Sequence, residues 1–581
     1  MQQHAYKTAL VAVNAQYIHT GLGVRSLAAY VRRETDTAVE VLELTINTPQ
    51  QEILAALYRS EANVYLFSCY IWNIELILRV ARNLRLLLPD VQIGLGGPQV
   101  SYQGPKMLDS EPEIDFIVTG EGEATVCELL SLLRNGISLG ACRGLVIREG
   151  GRPVATPTRP LLPMDALPFA YSDLDTLQHR ILYYESMRGC PFACSYCSSS
   201  IERGVRKRSL PLVFADLAVF LEHRVPQVKF VDRTFNCDKT HALSIWKWLA
   251  AHDNGVTNFH FELSGELLDE EMLSFLAGVR PQLFQFEIGV QSTNPSTLRE
   301  IDRPANLTVL FSRVKQLLKP GNIHVHLDLI AGLPYEGYER FQVSFNDVFA
   351  CKPHQLQLGF LKVLPGSKME RMAQAYGLLY TANAPYEVLE TRWIRYPEIL
   401  ALQGVASMVQ VYYNSFRYQH ILQHLVALFP DAFTFFQALS KHYEQVSDGR
   451  PLSDMAYYAL LESFVRSQGL EVTEKMRWLT KFDLLLHEKP HKLPEWIAVD
   501  ESSAYREAIQ RFFMNAENIA AYLPEYAQET SLRAERTAHL EVFPFHPVNG
   551  AAGRVAVVFN YRRRDVTGAA CFHVIPIETL M

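Results

Sequence analysis

Hydrophobic residues in the first 145 positions gather in short continuous runs, TALVAVN (8–14), AVEVLEL (38–44), NVYLFSC (63–69), VQIGLGG (91–97) and IDFIVTG (114–120), with amphipathic stretches between them. A run apolar on both of its alternating faces suits a strand covered on both sides, and the helical spacing between runs supplies the cover. The pattern predicts an α/β fold that starts with a doubly wound parallel sheet over 1–145. Such sheets take ligands at the carboxyl ends of their strands. Here those ends carry Asn14, Ser68, Gly96-Gly97-Pro98 and Gly120-Glu121-Gly122-Glu123, small or turn-forming residues that let a ligand come close to the backbone.

The stretch GRPVATPTRPLLPMDALPF (151–169) is polar and rich in proline, and it predicts a linker over 146–180. Strand and helix patterns then alternate again through ILYYESM (181–187), VKFVD (228–232), FHFEL (259–263), LFQFEIGV (283–290), HVHLDLI (324–330) and HQLQLGFL (354–361). Repeats of that length predict a closed or partial (β/α) barrel over 181–375. Long helical stretches dominate from about residue 391 to 525. The runs HLEVFPF, RVAVVFNY and AACFHVI follow, separated by Asn-Gly and Thr-Gly turns, so a mostly helical α+β domain is predicted over 390–581.

At 581 residues the chain exceeds what one core supports, roughly 250–300 residues, which agrees with several domains. No run of about 18 apolar residues occurs and the start MQQHAYKTAL has no signal-peptide core, so the expected location is the cytoplasm, with no membrane partner. The net charge of −7 is spread along the chain, which argues against a nucleic-acid partner. Nine cysteines are too few for a disulfide scaffold, but Cys190, Cys194 and Cys197 fall within eight residues, as a metal site would require.

A structural zinc ion is normally closed by four ligands, and a fully protein-bound cubane by four cysteines. The Cys190–Cys197 loop offers three, which fits a cluster with one non-protein position better. A zinc site closed by a distant ligand such as Cys237, or three buried small hydrophobes, are the alternatives.

The C-x-x-x-C-x-x-C spacing, with Tyr196 before the last cysteine, resembles the radical S-adenosylmethionine (SAM) superfamily. Further along, Glu287–Ser292, Asn294-Pro295, Asp302-Arg303 and Asp328–Pro334 are similar to oxygen-independent coproporphyrinogen oxidases and methylthiotransferases. The resemblance implies a 4Fe–4S cluster on the three cysteines, whose open iron chelates SAM and cleaves it to a 5′-deoxyadenosyl radical. It also implies cofactor contacts: Tyr184 and Tyr196 to the nucleotide, Glu262 as an acid on the third strand, and Gln291, Arg303 and Asp328 to the ribose or the methionine carboxylate. Glu287 joins this set, and for Glu287 and Asp328 alike the alternative is a buried carboxylate capping a barrel end through backbone N–H groups. Asp232 is a polar contact at a turn where the family often has glycines. The basic run 203–208 reads as a solvated face.

A nicotinamide or flavin site would need G-x-G-x-x-G after the first strand, and only Gly21-x-Gly23 is present. Through His19–Gly23, Phe67-Ser68, Gly96–Pro98 and Thr119–Glu123 the segment instead resembles the cobalamin-binding domain fused to many radical SAM enzymes. Asn14, His19, Ser68, Gly97, Pro98, Gly120, Glu121, Gly122 and Glu123 are the expected cobalamin contacts. Cobalt-ligating histidines sit in Asp-x-His-x-x-Gly, whereas Tyr17 and Leu22 flank His19 here, so the resemblance implies cobalamin without a histidine ligand.

Carbon methylation of a small-molecule or peptide substrate is the leading expectation, with a flavodoxin- or ferredoxin-type electron donor. The alternatives are cyclisation, ring contraction or oxidation by a non-methylating cobalamin enzyme, and a redox or cobalamin sensor. The segments 486–491 and 559–568 resemble a domain of unknown function that follows such enzymes, and Arg562-Arg563-Arg564 is either an acidic-substrate site or an exposed strand-edge cluster.

Overall fold

A computed structural model describes residues 6–201, 204–303, 305–490, 492–565 and 567–580. The first sheet contains β1 (Lys7–Asn14), β2 (Ala38–Thr45), β3 (Val64–Ser68), β4 (Gln92–Gly96), β5 (Phe116–Val118), β6 (Leu145–Glu149) and β7 (Arg152–Ala155). Its order is β2-β1-β3-β4-β5-β6-β7, parallel through β5 and antiparallel beyond. Successive residues of β1 point to opposite faces. Ala9, Val11 and Val13 join Phe67 and Ile93 in one core, while Leu10 and Ala12 join Leu66 and Phe116 in the other. Both faces are covered, which is why the strands read as unbroken apolar runs. The direction of progress reverses between β1 and β3, the place where a doubly wound sheet opens a crevice.

The sheet runs past the expected boundary at 145. β6 and β7 fall in the stretch expected as linker, and β7 holds Pro153 on the sheet's outermost strand, where a missing N–H costs no ladder bond. That proline disguised the strand.

The second sheet uses β8 (Ile181–Tyr184), then, after a hairpin of β9 (Met187–Cys190) and β10 (Gly204–Lys207), β11 (Gln227–Phe230), β12 (Asn258–Leu263), β13 (Phe284–Gln291), β14 (His324–Ala331) and β15 (Gln355–Phe360). Its order is β15-β14-β13-β12-β11-β8, and the pairs from β8 through β14 are parallel, giving a partial (β/α) barrel. One face of these strands is aromatic and buried. Phe230, Phe261 and Phe286 cluster with Trp246 of the helix Lys239–Ala251, with ring centroids 4.5 Å (Phe230–Phe261) and 5.4 Å (Trp246–Phe286) apart. The other face lines the lumen. The first sheet and barrel meet directly: His19 bridges to Ile181, whose N–H donates to Ile18 O at 2.7 Å.

The first sheet and barrel lie in one compact unit, running through Phe341 and including Gly359–Tyr396. The second unit takes Gln342–Leu358 together with everything from Pro397 onward. Sequence reading placed Gln342–Leu358 with the barrel. Within the second unit Phe345 and Phe349 stack their edges on Phe436 at 6.0 and 5.9 Å, which accounts for the assignment. Among the described residues eight α-helices, from Tyr396–Tyr412 to Ser531–Thr537, precede a small antiparallel sheet of β18 (His539–Phe545), β19 (Ala552–Arg564) and β20 (Ala570–Pro576), numbered after the short pair β16 (Leu379–Tyr380) and β17 (Val388–Glu390). Trp478 and Phe482 pack on Phe543 and Phe559 of that sheet. No helix among the described residues is long and apolar enough to cross a membrane.

Candidate active site

The cysteine loop springs from β9. Opposite Cys190 on β10 stands Gly204, and Gly189 adopts φ +96°, where an added Cβ would come within 2.0 Å of Gly204 O. Only glycine permits that approach. After Cys190 the chain turns back: Cys197 N–H donates to Cys194 O at 3.1 Å, and Ser200 Oγ donates to both Cys194 O (2.9 Å) and Cys197 O (2.7 Å). Ser195 N–H is pinned to Ile301 O at 2.9 Å, so the loop is tied to the carboxyl end of the short helix Pro295–Glu300 that follows β13.

Cys190, Cys194 and Cys197 are free thiols. Burial pushes the Cys194 thiol up, Arg303 opposes that, and Cys197 and Cys190 act on it as neighbouring thiols, so the three gather in one electrostatic site. Among the described residues no three His, Cys, Asp or Glu side chains close on a metal ion. Cys237 lies within electrostatic range of Cys190. A cubane asks less of the protein, because its irons stand apart and each takes one thiolate.

Arg303 reaches across to this loop. Its Nη1 lies 3.7 Å from Cys194 Sγ, its Nη2 donates to Gly289 O at 2.6 Å, and Tyr196 is within its field. Gly289 leaves room for Gln291, whose Nε2 would sit 2.1 Å from a Cβ there; a bulge at Gly289/Gln291 and a φ of +68° at Gln291 turn that amide into the lumen. The Gln291 Oε1 and Asp328 Oδ1 atoms are both buried with no hydrogen-bond partner. Burial, with Glu287 and Glu262 nearby, lifts the Asp328 carboxyl well above the ordinary range. Glu262 is likewise raised by burial and by Glu287. Buried acceptors without donors are costly, and a ligand rich in N–H and O–H groups removes the cost. A cation such as Arg303 beside such acceptors suits a zwitterionic nucleoside like SAM. These residues fit the cofactor that the sequence implies.

Three expected contacts are placed differently. Tyr184 points away from the lumen: it is buried between Phe220 and Phe230, and its hydroxyl donates to Asp216 at 2.9 Å. The neighbouring Tyr183 takes the lumen side, as the two-residue period requires, and its hydroxyl meets His19 Nδ1 at 2.7 Å. Asp232 is fully engaged by Ser186, whose N–H and Oγ donate to its two oxygens at 3.1 and 2.7 Å, and burial lifts its pKa to about 7. Glu287 caps no backbone. It pairs with His260 (3.2 Å) and Lys229 (3.3 Å), which overcome burial and hold it at about 2.

Sequence reading missed Tyr183, Lys229, His260 and His326, which share the lumen face with Glu262 and Glu287 by register. Burial and the nearby His324 keep His326 neutral, with a pKa of about 3. The signal was present in FHFEL and HVHLDLI, where polar side chains alternate with apolar ones.

At the carboxyl ends of the first sheet, Asn14 Nδ2 donates to His19 O at 3.0 Å and Ser68 bonds the Tyr70 hydroxyl. Tyr70 stacks on Trp72 at 4.3 Å. Trp72, Tyr17 and Ile18 are exposed at 47%, 68% and 42%, large apolar groups gathered where the strands end. Gly97 takes φ +102° against Cys69 O, Pro98 and Gly120 are exposed, and Gly122 opens the helix Glu123–Arg134 against Leu27. Apolar platforms beside close-approach glycines fit a corrin. Glu121 and Glu123 do not face that platform as free ligands, because Arg206 and Arg188 hold their carboxylates.

The comparisons with known proteins agree with this arrangement. Residues 8–130 match the B12 binding domain, 184–348 the Radical SAM superfamily, and 374–559 a protein of unknown function family, DUF4080. The chain is 26% identical over 392 residues to an uncharacterised methyltransferase of Pyrococcus horikoshii, covering 62% of this chain and 80% of that one. It is 27% identical over 342 residues to the cobalamin-dependent radical SAM methyltransferase TokK of Streptomyces tokunonensis, covering 55% of this chain and 50% of TokK. It therefore spans about half of TokK's length. The fold is similar to that of the cobalamin-dependent S-adenosylmethionine radical enzyme OxsB, solved with aqua-cobalamin and S-adenosylmethionine bound, at TM-score 0.57 and 15% identity over 80% of this chain and 76% of that one.

Proposed function

We infer that this chain, which carries a B12-binding domain, a radical SAM domain and a domain of unknown function in that order, is a cobalamin-dependent radical SAM methyltransferase acting on an unactivated carbon. The observation that carries the reading is the pair of buried, unpartnered acceptors, Asp328 Oδ1 and Gln291 Oε1, on the wall that Arg303 joins to the cysteine loop. When bound, the cluster supplies the electron that cleaves SAM and cobalamin supplies the methyl group. Cys190, Cys194 and Cys197 hold the three protein-bound irons. Arg303 orients the methionine carboxylate, Gln291 and Asp328 accept from ribose hydroxyls or the ammonium, and Tyr196 borders the adenine. Tyr17, Ile18 and Trp72 exclude water beneath the corrin. Tyr17 and Leu22 stand where Asp-x-His-x-x-Gly would have Asp and Gly around His19, which supports cobalamin held without a histidine ligand. The substrate is a small molecule or peptide, and a flavodoxin or ferredoxin is the electron donor.

The test is anaerobic turnover of the reconstituted protein with extracts offered as substrate. One SAM gives up a methyl group and leaves as S-adenosylhomocysteine; the other gives methionine and a 5′-deoxyadenosine that has taken the substrate hydrogen. Both products should appear. Deoxyadenosine without S-adenosylhomocysteine identifies non-methylating chemistry, and neither product identifies a sensor.

A further inference from the structure

The loop after β5 faces two ways. On one side Thr119, Gly120 and Glu121 line a cavity of about 230 Å³ together with Tyr102, Arg159 and Leu162. On the other side its two glutamates reach the hairpin that presents Cys190. Glu123 accepts from Arg188 Nη2 at 2.6 Å, Glu121 lies 3.5 Å from Arg188 Nη1 and pairs with Arg206, and Glu185 accepts from Arg188 Nε at 2.7 Å.

Arg188 and Arg206 are cross-strand partners on β9 and β10, and Cys190 lies two residues beyond Arg188 on the same strand. The side chains of Arg188, Glu121 and Glu123 keep only 16%, 15% and 6% exposure, so their charges stay satisfied only while the loop and hairpin hold this geometry. Ser26 Oγ adds a 3.1 Å bond to Glu123 and anchors the loop to the helix Leu22–Glu34.

We propose that Arg188 is a positioning residue that couples cobalamin binding at the first sheet to retention of the 4Fe–4S cluster. This rests on the reading above, in which the chain holds both cofactors. A ligand that fixes residues 119–123 fixes both carboxylates, hence the guanidinium between them, hence the strand that aims Cys190. The coupling runs both ways: cobalamin slows cluster loss, and the cluster tightens cobalamin binding, each by about tenfold.

The experiment uses the full chain, reconstituted anaerobically with iron and sulfide. Cluster loss to a chelator is followed by iron–sulfur absorbance with and without hydroxocobalamin, and cobalamin affinity is titrated by corrin absorbance with and without the cluster. The wild type should show both factors near tenfold. In Arg188→Met both should collapse to about one, while Arg188→Lys, a point charge that still reaches two carboxylates, should restore part of each. Arg188→Met with Glu123→Gln leaves less unpaired charge and should also lose the coupling, which keeps the test valid if the single variant does not fold. Equal cluster loss with and without cobalamin in wild type that binds both cofactors overturns the coupling alone. Unchanged factors in Arg188→Met overturn the role of Arg188. A chain that binds no cobalamin or no cluster overturns the functional reading itself.

Discussion

The barrel lumen and the Lys481–Glu541 and His420–Asp483 clusters of the second unit both bury charge, and they differ in what completes it. In the second unit Lys481 is buried with every contact supplied by protein: Nζ donates to Glu541 at 2.9 Å and to Val499 O at 2.6 Å, and Glu541 also takes Ser502 Oγ at 2.7 Å and His539 at 2.9 Å. His420 likewise gives Nδ1 to the buried Asp483 at 2.6 Å, and Asp483 also accepts from Ile421 N–H. Asp328 and Gln291 in the lumen have acceptor atoms that nothing in the chain completes. Complete polar networks hold a fold together, whereas incomplete ones in a concave wall mark where a ligand belongs.

Four experiments press on that difference. The largest effect belongs to Cys194→Ala, which should abolish 5′-deoxyadenosine formation and bound iron, measured by chromatography and iron assay, without unfolding the chain. Next is Lys481→Met, which strands Glu541 in the interior and should cost about 3–5 kcal/mol in denaturant unfolding. Replacing both partners by methionine should recover most of that loss, because a well-packed apolar pair avoids the desolvation penalty.

Asp328→Asn should move two observables in opposite directions. Binding of SAM should weaken about tenfold, because the amide cannot ionise against the cofactor's positive charge as the carboxyl can on giving up its proton. The cofactor-free chain should become more stable at neutral pH. The folded Asp328 carboxyl is held above its ordinary value of about 3.9, so the folded chain keeps a proton that the unfolded chain releases. Its contribution is therefore full below about pH 3.9 and falls as the pH rises toward the folded value, and the Asn variant should lack that fall in a pH series of melting temperatures. The smallest stability effect is expected for Trp72→Ala on the exposed platform, which should leave the melting temperature unchanged while weakening cobalamin uptake.

Much of this architecture was legible because it depends on local pattern. Unbroken apolar runs gave the doubly covered sheet, and cysteine spacing gave the cluster loop. What stayed hidden depends on partners far along the chain. Whether Tyr183 or Tyr184 enters the lumen is a one-residue question of register, settled by Phe220 and Asp216 on a helix some thirty residues later. Glu121 and Glu123 read as cobalamin contacts until Arg188 and Arg206 meet them across 65 and 85 residues. Ser186 claims Asp232 in the same way. The triple arginine lies at the end of β19, the middle strand of its sheet, where Arg562 pairs with Glu529 at 2.7 Å and Arg564 donates to His487 O at 3.1 Å.

The central claim is that the three cysteines and the incomplete lumen wall together cleave SAM. Anaerobically reconstituted protein, reduced and given SAM, tests it most directly by mass spectrometry of the nucleoside products. 5′-Deoxyadenosine and methionine should form in equal amounts, be lost in Cys194→Ala and be diminished in Arg303→Ala. Protein that carries its cluster and binds SAM yet yields no 5′-deoxyadenosine on reduction would contradict it.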